Sequence, residues 1–168
     1  RFLKRQFKIP VRLDNDARCF LRAETAWGAA RGKKNVVGVA IGTGIGGGLM
    51  INGKIVYGAH GSAGEIGHMV LSGSKTFEQL GALKAFNRSG DRSRIIGAGI
   101  ADLINAFDPE MVVIGGGAVR SPKFNLAEVR AVAHKYIQSP KARKTRIVKS
   151  KLGDAAQAIG AALLFAEK

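Results

Sequence analysis

Three short stretches of the sequence hold residue types that could do chemistry. The first is Asp14-Asn15-Asp16, placed between an apolar segment and the start of a helical pattern. Short polar residues at such a junction cap helices, because a side-chain oxygen accepts from the first free backbone N–H groups. A carboxylate there can equally take the proton from a hydroxyl that attacks phosphorus, and the positive end of the helix keeps it ionised. The second stretch is "GTGIGGG", residues 42–48. A tight glycine turn can aim several backbone N–H groups at one anion, or it can be a plain bend between two strands. It precedes a strand, so it is neither the dinucleotide fingerprint nor a P-loop, both of which open a helix. Thr43 adds one hydroxyl donor to the turn. In the third stretch, "GEIGH", Glu65 and His68 stand three apart. Such a pair can read the hydroxyls of a polyol, or be an ordinary loop acid beside a surface histidine. His60 and His134 have no suggestive neighbours, and Cys19 reads as a small core residue.

Composition narrows the setting. The 168 residues are 46% hydrophobic and 23% charged, which is globular and enough for one ordinary domain. A single cysteine excludes an internal disulfide, and with three histidines no Cys/His cluster of zinc spacing can be assembled. A reduced, cytoplasmic compartment and no structural zinc are expected. No apolar stretch reaches the roughly 18 residues of a membrane span, and no signal-peptide pattern is present, so a soluble protein without membrane contact is expected. The net charge of +15 suits nucleic acid, an acidic surface or anionic small molecules, and does not choose among them. The cations concentrate in "RFLKRQFK" and "SPKARKTRIVKSK" without the interleaved aromatics of a single-strand stacking surface. A solvated basic face explains them; a nucleic-acid module would instead bind DNA with steep salt dependence.

The elements that must position these residues follow from periodicity and punctuation. "RFLKRQFK" reads as the last turns of a helix closed by Pro10, "PVRLDND" as a short strand, and "ARCFLRAETAWGAARG" as a helix with Phe20, Ala23 and Trp27 on its apolar face. "NVVGVAIGTG" is a buried-type strand, and "GGLMI" with "KIVYG" predict a hairpin across Asn52-Gly53, a dipeptide suited to a type I′ turn. Residues 58–74 are loop-like, and "KTFEQLGALKAF" is helical. Ile96, Ile100, Leu103 and Phe107 predict a helix that stops before Asp108-Pro109; "MVVIGGG" is then a second strand ending in glycines. A helix at "NLAEVRAVAHKYIQ" capped by Asn125, a strand at "TRIVKSKL" and a final helix capped by Asp154 complete the order. The pattern is α/β: a mixed sheet of about five strands with helices on both faces.

Taken together, "LDNDA" (13–17), "AIGTGIGGGLMINGK" (40–54), "YGAHGSAGEIGHMVL" (57–71), "ADLINAFDPEMVVIGGG" (101–117) and "LGDAAQAIGAALL" (152–164) resemble, in order, the ROK family of repressors, open reading frames and kinases. The resemblance implies an actin-like, hexokinase-like kinase whose two lobes are each built on a ribonuclease-H-like sheet, with ATP and a sugar meeting in the cleft. It implies Asp16 as general base on the sugar hydroxyl and Asn15 beside it on the sugar. It places Gly42, Thr43 and Gly44 at the ATP phosphates, Glu65 and His68 on the sugar, and Gly115, Gly116 and Gly117 near the adenosine. Mg²⁺ accompanies the nucleotide. Residues 1–31 are expected to be the end of an N-terminal lobe and residues 32–168 the C-terminal lobe. The D-x-G-G-T phosphate motif with which family members open is not in this sequence. The cysteine-rich zinc loop of many members is also missing, so "SGSKTFEQL" offers Glu78 in place of that loop's sugar-binding glutamate and leaves His68 without metal partners. Residues 86–97 look shortened. The function expected is ATP-dependent hexose phosphorylation by a homo-oligomer, commonly a dimer; a sugar-sensing repressor of the same family is the alternative.

Overall fold

The computed structural model describes residues 2–83, 92–122 and 124–166. Its chain runs through α1 (Phe2–Phe7) and α2 (Asp16–Ala26), then β1 (Val36–Ile41), β2 (Ile45–Ile51) and β3 (Lys54–Ile55). A small pair, β4 (Val70–Ser72) and β5 (Lys75–Thr76), leads to α3 (Phe77–Gly81). Then come α4 (Arg92–Phe107), β6 (Met111–Gly115), α5 (Leu126–Tyr136), β7 (Arg146–Lys149) and α6 (Ala156–Leu163).

The main sheet has the order β3-β2-β1-β6-β7, with β1 antiparallel to β2 and parallel to β6, and β6 parallel to β7. This is the expected mixed five-stranded sheet. The central strands β1 and β6 are continuous apolar runs because helices cover both of their faces. Side chains alternate across the sheet. Val37, Val39, Ile41, Val112 and Ile114 enter one core with Ile96, Ile100, Leu103 and Ile104 of α4 and Val129 and Ala133 of α5. Val36, Met111 and Val113 enter the other, with Phe20, Leu21 and Ala23 of α2 and Ala156 of α6. The β2–β3 hairpin turns on Asn52 and Gly53, both at positive φ, as their type I′ signal predicts.

Several expectations need correction. Residues 10–15 form no strand: Pro10 lacks a donor, Leu13 is 85% exposed, and the segment runs extended into the cap of α2. Trp27 is 59% exposed because the helix ends at Ala26 and Trp27, with φ −132° and ψ −5°, turns away from its apolar face. The helix predicted over 75–86 is limited to Phe77–Gly81, and its last three residues lie outside the described ones. Asp154 does not cap α6; it lies in a preceding 3-10 turn, Gly153–Ala155, and pairs with Arg120. Asn125 does cap α5, accepting from the N–H groups of Ala127 and Glu128.

Small residues decide how α2 sits. It crosses the glycine-bearing part of β1 and β2, where a Cβ on Gly46 would lie 2.9 Å from that of Ala17, and one on Gly48 3.0 Å from the Ala17 carbonyl. On its other side α6 presses so close that a Cβ on Gly160 would overlap the Cys19 carbonyl. A methyl group there must push the two helices apart, so Gly160→Ala is expected to lower the unfolding free energy by about 1–3 kcal/mol, read as an earlier urea midpoint.

Candidate active site

β1 and β6 are parallel neighbours whose continuations diverge: β1 folds back into β2 on one side, whereas the chain after β6 leads through α5 to β7 on the other. A crevice opens at the carboxyl ends of strands at such a switch point. Here it is a cleft of about 620 Å³. Asn15, Asp16, Gly42, Thr43, Gly44, Glu65, His68, Glu78, Gly116 and Gly117 all line it, although they come from five separate parts of the sequence. Gly115 does not; it is buried in β6, and a Cβ there would overlap the Phe20 ring. Gly116 stands at φ 90°, where a side chain would overlap the Ile41 carbonyl at the end of β1. No residue but glycine lets the two strand ends lie this close.

The three polar residues before α2 have separate tasks. Asn15 is the cap, its Oδ1 accepting from Ala17 N at 2.9 Å and from Arg18 N at 3.2 Å. Asp14 turns inward to the side chains of Arg18 and Arg22. Asp16 is exposed on the cleft wall at the first position of the helix, its Oδ1 accepting from Ala17 N at 2.8 Å and its Oδ2 from Gln157 Nε2 on α6 at 3.4 Å.

The glycine turn is held by its neighbours. Gly42 N donates to Gly44 O at 2.8 Å, Leu83 N donates to Gly42 O at 2.9 Å, and Ile45 N donates to Glu78 Oε2 at 2.8 Å. Glu78, half-buried on α3, therefore braces the turn while its carboxylate faces the cleft. Thr43 and Gly44 line the cleft at this turn. Gly46 and Gly48 serve packing against α2, and Gly47 packs on Gly64 and Ile66. The glycine run thus combines two jobs: residues 42–44 shape the cleft rim, and residues 46–48 admit the elements above and below it. Glu65 and His68 flank a 3-10 turn, Ile66–His68, and both are exposed on the cleft side.

Sequence reasoning missed Phe20, Asp154 and Gln157, which also line the cleft. Asp154 had a signal: it stands between a strand and a helix, as Asp16 does. It also missed Glu24, which is completely buried and accepts from Ala29 N at 2.7 Å, Ser150 Oγ at 2.6 Å and Leu152 N at 2.9 Å. That carboxylate fixes the segment from which Gly153, Asp154 and Gln157 enter the cleft wall. Among the described residues the cleft is lined by four carboxylates, those of Asp16, Glu65, Glu78 and Asp154, the last of which pairs with Arg120.

Comparison with known proteins agrees with this architecture. The sequence model of the ROK family matches residues 1–82 and 74–168. The N-acetyl-D-glucosamine kinase of Pectobacterium carotovorum is 31% identical over 214 aligned positions, covering 96% of this chain and 68% of the kinase. That alignment is longer than the chain itself, so the kinase holds segments with no counterpart here. The xylose repressor of Bacillus spizizenii is 23% identical over 99% of this chain and 53% of the repressor. The chain thus spans about half to two thirds of the length of such relatives. The crystal structure of a ROK family glucokinase from Streptomyces griseus, in complex with glucose and AMPPNP, superposes with a TM-score of 0.87 at 24% identity, covering 96% of this chain and 70% of the glucokinase. The fold is therefore the actin-like, hexokinase-like fold of these kinases.

Behind the cleft wall, Asp14 lies 2.6 Å from Arg18 Nε and 2.9 Å from Arg22 Nη2, with its side chain almost fully buried. Burial alone would raise its pKa, but the hydrogen bonds from Arg18, the Asn15 amide and Arg22 together outweigh it and hold the carboxyl below its ordinary range. A carboxyl depressed in the folded state contributes stability above the unfolded pKa of about 4, and that contribution is lost as pH falls through the folded value. Asp14→Asn is therefore expected to lower the thermal midpoint at pH 7 and to flatten its fall below about pH 4, measured by calorimetry across pH.

Proposed function

This chain belongs to the ROK family, and we propose that it is the nucleotide- and sugar-binding lobe of an ATP-dependent hexose kinase. The observation that supports this reading best is the placement of Asp16. A carboxylate at a helix N-terminus faces a glycine turn and two sugar-reading side chains across one cleft. Residues 32–168 are the second lobe in this reading, and residues 1–31 lead over from the first, with α2 laid on the second lobe's sheet.

The proposed reaction is direct transfer. Asn15, Glu65 and His68 orient the sugar, with Glu78 bracing the turn and reaching the sugar from α3. Asp16 accepts the proton of the attacking hydroxyl, the sugar oxygen bonds to the γ-phosphorus, and the bond to the β-phosphate oxygen breaks, releasing ADP. The amides of the 42–44 turn lie against the phosphates, and Gly116 and Gly117 leave room for the adenosine. Among the described residues the cleft is lined by carboxylates, which suits a triphosphate that arrives with Mg²⁺; Asp16, and Asp154 once released from Arg120, would be the carboxylates to meet it. When bound, the ion neutralises phosphate charge. A sugar-sensing repressor, the reading that the Bacillus spizizenii relative favours, would use the same cleft without transfer.

Assays on the full gene product with ATP and a panel of hexoses and N-acylhexosamines decide between them. Asp16→Asn is expected to cut kcat by about a hundredfold to ten-thousandfold with sugar affinity little changed. Wild-type turnover in that variant would refute the base, and sugar binding without any transfer by the wild type would favour the repressor.

Gly42 offers a separate check on the phosphate turn. Its φ is ordinary and nothing lies within 4 Å of a Cβ built there, so Gly42→Ala should fold and melt as the wild type does. Its methyl would project into the cleft, and the KM for ATP is expected to rise about tenfold or more.

A further inference from the structure

Away from the cleft, a groove of about 340 Å³ runs between α5 and β7, the edge strand of the sheet. The charged side chains lining it are all basic or imidazole: Arg130 and His134 from α5, Arg143 and Lys144 from the following 3-10 turn, and Arg146 from β7. Among the described residues no carboxylate lines it, and the sequence has no acidic residue between Glu128 and Asp154. Cations this close repel one another within the roughly 8 Å screening length of physiological salt. An anion in the groove removes that repulsion.

Two of the cations are already fixed for such a ligand. Arg130 donates through Nε and Nη2 to the Ile147 carbonyl at 2.8 and 2.6 Å, and Arg143 Nε donates to the Ile137 carbonyl at 3.1 Å. Each guanidinium keeps further N–H donors, and its planar fork loses little freedom on binding a phosphate. Lysine and arginine on an edge strand also discourage sheet-to-sheet pairing. That role requires cations on β7 alone, whereas this groove draws them from three elements.

We infer that the α5–β7 groove is a binding site for a small phosphoryl anion, either inorganic phosphate or a phosphate monoester, distinct from the cleft. The groove suits a compact ligand because α5, the turn after it and β7 each contribute a cation or imidazole to one cavity of about 340 Å³.

The test uses the full gene product titrated by calorimetry with inorganic phosphate, with a hexose 6-phosphate and with duplex DNA in separate arms. Saturable binding of phosphate or of the ester is expected, with a rise in melting temperature through ligand linkage. Arg143→Gln with Arg146→Gln should weaken it about tenfold or more by removing two charge-assisted contacts, as should the exposed single change Lys144→Gln to a lesser degree. Gly42→Ala, which alters the cleft, should leave it unchanged. A stronger response to the ester identifies a phosphorylated metabolite as the ligand, and equal responses identify free phosphate. The inference is overturned by phosphate binding that survives the double substitution, by its loss in Gly42→Ala, or by the absence of saturable binding. DNA binding with a steep salt slope and no phosphate binding would overturn it in favour of a nucleic-acid face.

Discussion

How closely α2 can approach the sheet sets the geometry of everything in the cleft. The helix rests on Gly46 and Gly48 through Ala17 and Leu21, and on Gly38 through Leu21. With α6 seated against Cys19 at Gly160, there is no slack on either side. Asp16 is one residue from Ala17, so its carboxylate height above the 42–44 turn is fixed by backbone-to-backbone contact and not by a long side chain. Close-packed interiors transmit such displacements and do not absorb them. A side chain at any of these contacts would move the Asp16 carboxylate relative to the 42–44 turn, and the proposed phosphoryl transfer depends mostly on that placement.

The second wall of the cleft is tied to the same helix by a polar contact. Glu24 lies near the end of α2, fully buried, and its carboxylate accepts from Ser150, Lys151 and Leu152 just after β7. A buried carboxylate is costly unless its oxygens are satisfied, and here several donors converge on it. The segment they come from continues into Gly153, Asp154 and Gln157. One helix thus presents Asp16 at its start and, through Glu24 at its end, anchors the residues that face Asp16 from α6. The Gln157 bond to Asp16 closes this circuit within the cleft.

The sheet was legible in the sequence because its central strands are uninterrupted apolar runs and its hairpin is punctuated by Asn52-Gly53. The cleft residues were legible as motifs, and the structure brings all but Gly115 to one cavity. What was not legible depends on partners distant in sequence. Nothing in the spacing of α2 distinguishes Glu24 from a surface acid, since apart from Ala29 its donors lie some 126 to 128 residues away. Asp154 reads as a helix cap by position, yet the 3-10 turn it occupies shifts the start of α6, and Arg120 takes its carboxylate. By spacing the glycine run read either as an anion turn or as a plain bend between strands, and the resemblance put only residues 42–44 at the phosphates. Only the packing of α2 and of Ile66 separates the glycines that shape the rim from those that admit a neighbour.

Charge is distributed against the overall balance, and this bears on what each surface can hold. A chain of net charge +15 places four carboxylates around its candidate active-site cleft. In the proposed kinase, backbone amides and an accompanying divalent ion would hold the triphosphate there, while the carboxylates address neutral hydroxyls and protons. The cations gather instead along residues 130–151, on the far edge of the sheet. Two regions of opposite sign on one small lobe can hold two different ligands without competing for them. In the proposed reading the acidic one takes its anion together with a divalent ion, and the basic one takes a phosphoryl group without one.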